Sequence, residues 1–195
     1  MVFNIKFVRV KVSFTFLCLF LLIIPNGNYN VFLCSFFASL IHEFVHLFLI
    51  LLFRGEVKEI TFSLLGGNIK RSHNIILQNY KEILISLSAP VFNIFLGVVF
   101  ICLGIYEHFA WINIIIGIFN LLPFYSFDGG RALKYFLYNK VNQKTSDSLL
   151  FFVSLFISVI FIVLSLHFFL NYKNHFILLM SIFMLLSVIF NIKDI

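Results

Sequence analysis

An apolar run from Val31 to Phe53 is interrupted near its middle by His42-Glu43-Phe44-Val45-His46, and these three polar residues are its only histidine or charged side chains. As a helix the run is roughly 34 Å long at about 1.5 Å per residue, enough to cross a hydrocarbon core of about 30 Å. A charged group at the centre of such a helix costs about 2.5–3.5 kcal/mol, so three polar side chains together must serve something that offsets the cost. Residues i and i+4 share a helix face, which stacks His42 over His46 and puts Glu43 beside them.

That spacing suits metal chemistry. In an HExxH helix two imidazoles can hold zinc while the glutamate accepts a proton from water. The same pentapeptide also arises by chance, and the same cluster could line the cavity of a metal-ion transporter. A third ligand elsewhere in the chain would separate these readings.

With 62% hydrophobic and 11% charged residues in 195, the sequence reads as a single integral-membrane domain, 1–195, with no room for a separate soluble one. The net charge of +6 does not require a nucleic-acid partner, because Lys and Arg in membrane proteins mark the cytoplasmic side. Cys18, Cys34 and Cys102 are odd in number and lie in apolar runs, so neither a disulfide framework nor a cysteine-rich zinc site is indicated.

The fold class expected is an all-α polytopic membrane protein of about six transmembrane helices, with a small β hairpin or strand between the second and third. The spans fall at about 8–24, 31–53, 83–106, 109–122, 149–170 and 176–192. In the first, the apolar run Val12–Ile24 follows Lys6, Arg9 and Lys11 and lacks a small-residue cleavage site, so it reads as an uncleaved helix that begins near Val8 with Arg9 and Lys11 snorkelling. Between spans two and three, Val57, Ile60, Phe62 and Leu64 alternate loosely with polar residues ahead of Gly66-Gly67, which favours strand over helix. The third span carries Pro90 and Asn93.

The fourth apolar segment, Phe109–Leu122, is roughly 21 Å long as a helix and stops short of crossing. Pro123 ends it. Phe124-Tyr125-Ser126-Phe127-Asp128-Gly129-Gly130 then reads as non-helical backbone at membrane depth, followed by a short amphipathic helix over 131–142. His46 and His42 lie roughly 10 and 16 Å below the cytoplasmic end of their helix, a depth comparable to that of this tail. Asp128 is therefore a candidate third ligand, giving His₂Asp and an open position for water.

Four stretches in this order, HEFVH at 42–46, Leu64-Leu65-Gly66-Gly67, Ser88-Ala89-Pro90-Val91-Phe92-Asn93, and Asn120-Leu121-Leu122-Pro123 through Asp128-Gly129-Gly130-Arg131, resemble the site-2 proteases. These are zinc metalloproteases that cleave within or beside the membrane. Within that family the chain looks like the stage IV sporulation protein FB branch, without the soluble nucleotide-sensing domain which that branch carries after its sixth helix.

The resemblance implies one Zn²⁺ per chain on His42, His46 and Asp128, with Glu43 as catalytic base. Asn93 and Asn120 match family asparagines that could hydrogen-bond substrate or an oxyanion. The implied substrate is a membrane-tethered protein, with a membrane regulatory partner as a further expectation, and the strand at 57–64 could pair with an unwound substrate. Ser126, Phe127 and Ala89 depart from the usual proline, leucine and glycine. His73, His108, His167 and His175 lack ligand spacing, and Arg131 suits an interface residue as well as a substrate contact. The rival class is non-catalytic: a metal-ion transporter or a binding pseudoprotease using the same cluster. Against a transporter, the last two spans carry only scattered serines and a histidine near their outer ends.

If the N-terminus is cytoplasmic, six spans place every Lys and Arg except Lys173 on the cytoplasmic side, and both termini with them, in a multi-pass cell-membrane protein. Reporter fusions at residues 70 and 144 should therefore score as cytoplasmic and a fusion at Lys173 as external. A cytoplasmic signal at 173 would remove the sixth span.

Overall fold

Each long helix hides its small or polar residues and exposes its large apolar ones, the arrangement expected where lipid replaces water. The computed structural model describes residues 2–5, 8–12, 29–63, 66–71, 77–173 and 175–191. Helix α1 (Tyr29–Leu52) buries Ala38, His42, His46 and Ile50, one stripe with a four-residue repeat. Phe44, between the two histidines, is 66% exposed whereas each histidine is 5% exposed.

The chain falls into two compact units, Met1–Asn120 and Leu121–Ile195. The first contains a four-stranded sheet in the order β1 (Val2–Ile5), β2 (Val8–Val12), β3 (Val57–Ser63), β4 (Gly66–Arg71). The pairs β1–β2 and β3–β4 are antiparallel, and β2–β3 is parallel. A register shift between Val57 and Glu59 falls in the three-residue step from Val57 to Ile60, after which apolar residues recur every second position. That bulge accounts for the loose alternation in the sequence.

The expected start of a first membrane helix near Val8 is corrected by β2. Val8-Arg9-Val10-Lys11-Val12 alternates valine with a cation, the two-residue period of a strand, and it pairs on both sides, with β1 and β3. The rest of that expected span, 13–24, lies outside the described residues.

Helix α2 (Asn79–Leu103) buries Glu82, Ile85, Ser86, Ala89, Pro90, Asn93 and Gly97 along one face. It ends where Gly104 takes a φ of 66° and its N–H, with that of Ile105, closes back onto Ile101 and Phe100 carbonyls. Helix α3 (Glu107–Leu121) returns against it and buries Ala110, Asn113 and Gly117. The two backbones meet through glycine. A Cβ on Gly97 would lie 2.6 Å from the Ala110 carbonyl oxygen, and one on Gly117 2.6 Å from that of Pro90. Ile50, Val57, Leu77 and Ile85 form this unit's apolar core.

The second unit holds α4 (Asp128–Tyr138), α5 (Gln143–Tyr172) and α6 (His175–Asn191). Phe124, Met184 and Val188 are its core, flanked by Phe127, Phe151, Leu155, Ile157 and Phe161. Ser146, Ser154, Ser158 and Ser165 are fully buried on α5, and Ser165 meets Ser181 of α6 at 2.7 Å between hydroxyl oxygens. Among the described residues, three helices are long and apolar enough to cross a membrane: Tyr29–Leu52, Asn79–Leu103 and Gln143–Asn171. Glu107–Leu121 and Ile177–Ile189 are apolar but shorter.

Because the atom facing Gly117 is a backbone oxygen that cannot rotate away, Gly117→Val should destabilise the protein by about 1–3 kcal/mol. Gly104→Asn should cost less than about 1 kcal/mol, since asparagine tolerates the left-handed conformation and nothing lies within 4 Å of a Cβ there. Thermal unfolding of the detergent-solubilised protein measures both.

Candidate metal centre

The two histidines of α1 come together because they are one turn apart on its buried stripe. Their ring centroids are 4.9 Å apart with planes at 84°. His46 Nδ1 lies 2.9 Å from the Ile85 carbonyl oxygen on α2. A carbonyl can only accept, so Nδ1 carries the proton and Nε2 presents a lone pair. Donation of the second ring N–H to a backbone carbonyl is the usual way a metal-ligating histidine is oriented and made more basic.

A second bond from α2 fixes the turn of α1 that precedes His42. The Asn93 amide nitrogen donates to the Ala38 carbonyl at 3.4 Å, and Asn93 is wholly buried. Ala38 is four residues before His42, so its carbonyl is also the intrahelical acceptor for the His42 N–H. Glu43 is half-buried, as its position beside the stripe dictates. Asn120 is half-buried, and its amide nitrogen donates to Ile116 within α3 at 3.0 Å.

Asp128 opens α4 and is half-buried in the first turn, where the unbonded N–H groups of a helix favour an acidic side chain. The reading of Asp128-Gly129-Gly130 as non-helical is corrected, since all three residues are helical. Gly129 lies against the carbonyl groups of Leu121 and Leu122, and Gly130 against that of Phe124, leaving no space for a Cβ at either position. Glycine costs a helix about 1 kcal/mol in backbone entropy, and here that cost is offset by a backbone approach that no side chain would permit. The tight turn is closed by the Phe124 N–H on Leu122 at 2.7 Å and the Phe127 N–H on Phe124 at 2.9 Å.

Three contacts around this turn were not legible in the sequence. The Tyr125 N–H donates to Ser154 Oγ of α5 at 2.9 Å. Lys134 of α4 bonds Asp147 of α5 at 2.8 Å. Its ammonium also stands 5.9 Å from the Tyr125 ring centroid. Burial favours the neutral amine of Lys134, but the bond to Asp147 and the contact with Tyr138 outweigh it and raise its pKa above the usual lysine value.

His42 and His46 are the buried histidine pair of α1 in the first unit, and Asp128 is the acidic residue that opens α4 in the second. His108, His167 and His175 are exposed, and His73 lies outside the described residues.

The model of peptidase family M50 matches residues 104–164. That span takes in α3, the turn after Pro123, Asp128 and Ser154, and it begins after the histidine pair. No curated protein matches the chain. Among solved structures, the site-2 protease from Methanocaldococcus jannaschii superposes with a TM-score of 0.72 at 20% identity, over 95% of this chain and 91% of that one. The chain thus resembles the site-2 proteases both in the sequence around its second motif and in its fold.

Proposed function

We propose that the protein is an intramembrane zinc endopeptidase that cuts membrane-tethered proteins within or near the bilayer on the cytoplasmic side. The observation that carries this reading is the His42–His46 pair one turn apart on the buried stripe of α1, ring centroids 4.9 Å apart, with His46 Nδ1 committed to the Ile85 carbonyl so that Nε2 is left to bind. The donor set supports zinc: two imidazoles and one carboxylate leave a fourth tetrahedral position for water. Bound there, the ion would supply Lewis acidity, polarising the scissile carbonyl and acidifying water toward neutral pH.

The remaining work falls to the chain. His46 keeps Nδ1 on the Ile85 carbonyl and offers Nε2. Glu43 is adjacent to His42 but off the fully buried stripe, which suits a base that accepts the water proton and delivers it to the leaving amine. Of the two asparagines, the buried Asn93, committed to Ala38, suits positioning of the His42 turn. The half-buried Asn120 better suits contact with substrate. The cytoplasmic side is favoured by the charge asymmetry of the loops. The sporulation branch rests on motif order alone.

Glu43→Gln should abolish cleavage of co-expressed membrane-tethered candidates, by more than about a hundredfold, while the purified protein keeps about one zinc. Asp128→Asn should weaken zinc retention and cleavage together, about 10–100-fold. Wild-type cleavage by Glu43→Gln, or full zinc occupancy and activity in Asp128→Asn, would overturn the assignment. Zinc retained by a wild-type protein that cuts no candidate would favour the binding pseudoprotease.

A further inference from the structure

We propose that Ser154 is a positioning residue for the Asp128 turn, holding it by the Tyr125 N–H so that the aspartate carboxylate can serve as a ligand. This rests on the metal reading of Asp128. The turn supplies most of its own bonds: Phe124 and Phe127 close it internally, Arg131 bonds back to Phe127, and Pro123 has no N–H. The Tyr125 N–H leaves the turn for a hydroxyl on another helix, 29 residues further along the chain. Ser154 has no solvent exposure, so no water stands ready to replace it.

The neighbouring serine provides the contrast. Ser158 is equally buried, but its hydroxyl donates to the Ser154 carbonyl within α5 at 2.8 Å. It therefore serves the helix rather than the turn. Asp147, seven residues before Ser154 and on the same face of α5, reaches the turn indirectly through Lys134 and the Tyr125 ring. Helix α5 thus holds Tyr125 by its backbone through Ser154 and by its ring through the Asp147–Lys134 pair.

The test uses the full-length detergent-solubilised protein loaded with Co²⁺, whose visible absorption reports the ligand set, and a chelator titration for affinity. Ser154→Ala should bind Co²⁺ about 10–100-fold more weakly, with an altered spectrum. Ser158→Ala, which deletes the same atom one turn away, should match wild type, and Ser154→Thr should recover toward it because the hydroxyl returns. Should Ser154→Ala fail to accumulate, Ser154→Cys, of similar shape but a weak acceptor, takes its place in the same titration. A wild-type spectrum and affinity in the Ser154 variant, or an equal loss in Ser158→Ala, would overturn the proposal. Wild-type protein that binds no Co²⁺ overturns the metal reading and this proposal together, so the two failures are told apart by which protein shows them.

Discussion

The first unit depends on keeping two imidazoles on the buried stripe of a helix that is otherwise fit for lipid. Left unpartnered at that depth, each polar ring would favour unwinding or rotation of α1, and the large exposed phenylalanines offer no resistance to rotation in an apolar solvent. Helix α2 supplies the resistance. The Ile85 carbonyl takes the His46 Nδ1 proton, and the Asn93 amide grips the Ala38 carbonyl one turn before His42. Two polar contacts about two turns apart along α2 fix both the rotation and the register of α1.

Proline and glycine on α2 follow from that demand. Pro90 lacks an N–H, so the Ser86 carbonyl loses its intrahelical donor beside the carbonyl that holds His46. Ser88 adds a hydroxyl bond to the same Ile85 carbonyl at 2.7 Å. The Pro90 carbonyl in turn lies against Gly117 of α3, where any side chain would push the helices apart. Backbone carbonyls therefore do much of the positioning, a role a membrane protein can assign to them because few other polar groups are present.

What the sequence made legible was what a periodic pattern can encode. The four-residue spacing of His42 and His46 names a face, and an aspartate before two glycines after a short apolar segment names a special turn. Residues 8–12 were misread because cations after an N-terminus look like a membrane helix's flank, while the alternation Val-Arg-Val-Lys-Val is a strand's. Gly129 and Gly130 were misread as helix breakers because propensity knows nothing of the carbonyls of Leu121 and Phe124 lying against them. The Ile85 carbonyl and the Ser154 hydroxyl left no trace, since a backbone acceptor has no letter and one serine among many has no pattern.

The second unit applies the same logic with different atoms. Its turn before α4 is short of side-chain room, so glycine lets the backbone close, and the donor at Tyr125 is met by a serine small enough to sit inside a helix interface. A larger acceptor such as asparagine or glutamine would hold helices apart, and alanine would leave the N–H unmet at a cost of about 1–3 kcal/mol. Serine is the residue that satisfies both limits, which is why α5 can be apolar by composition and still present a hydroxyl where the turn requires one.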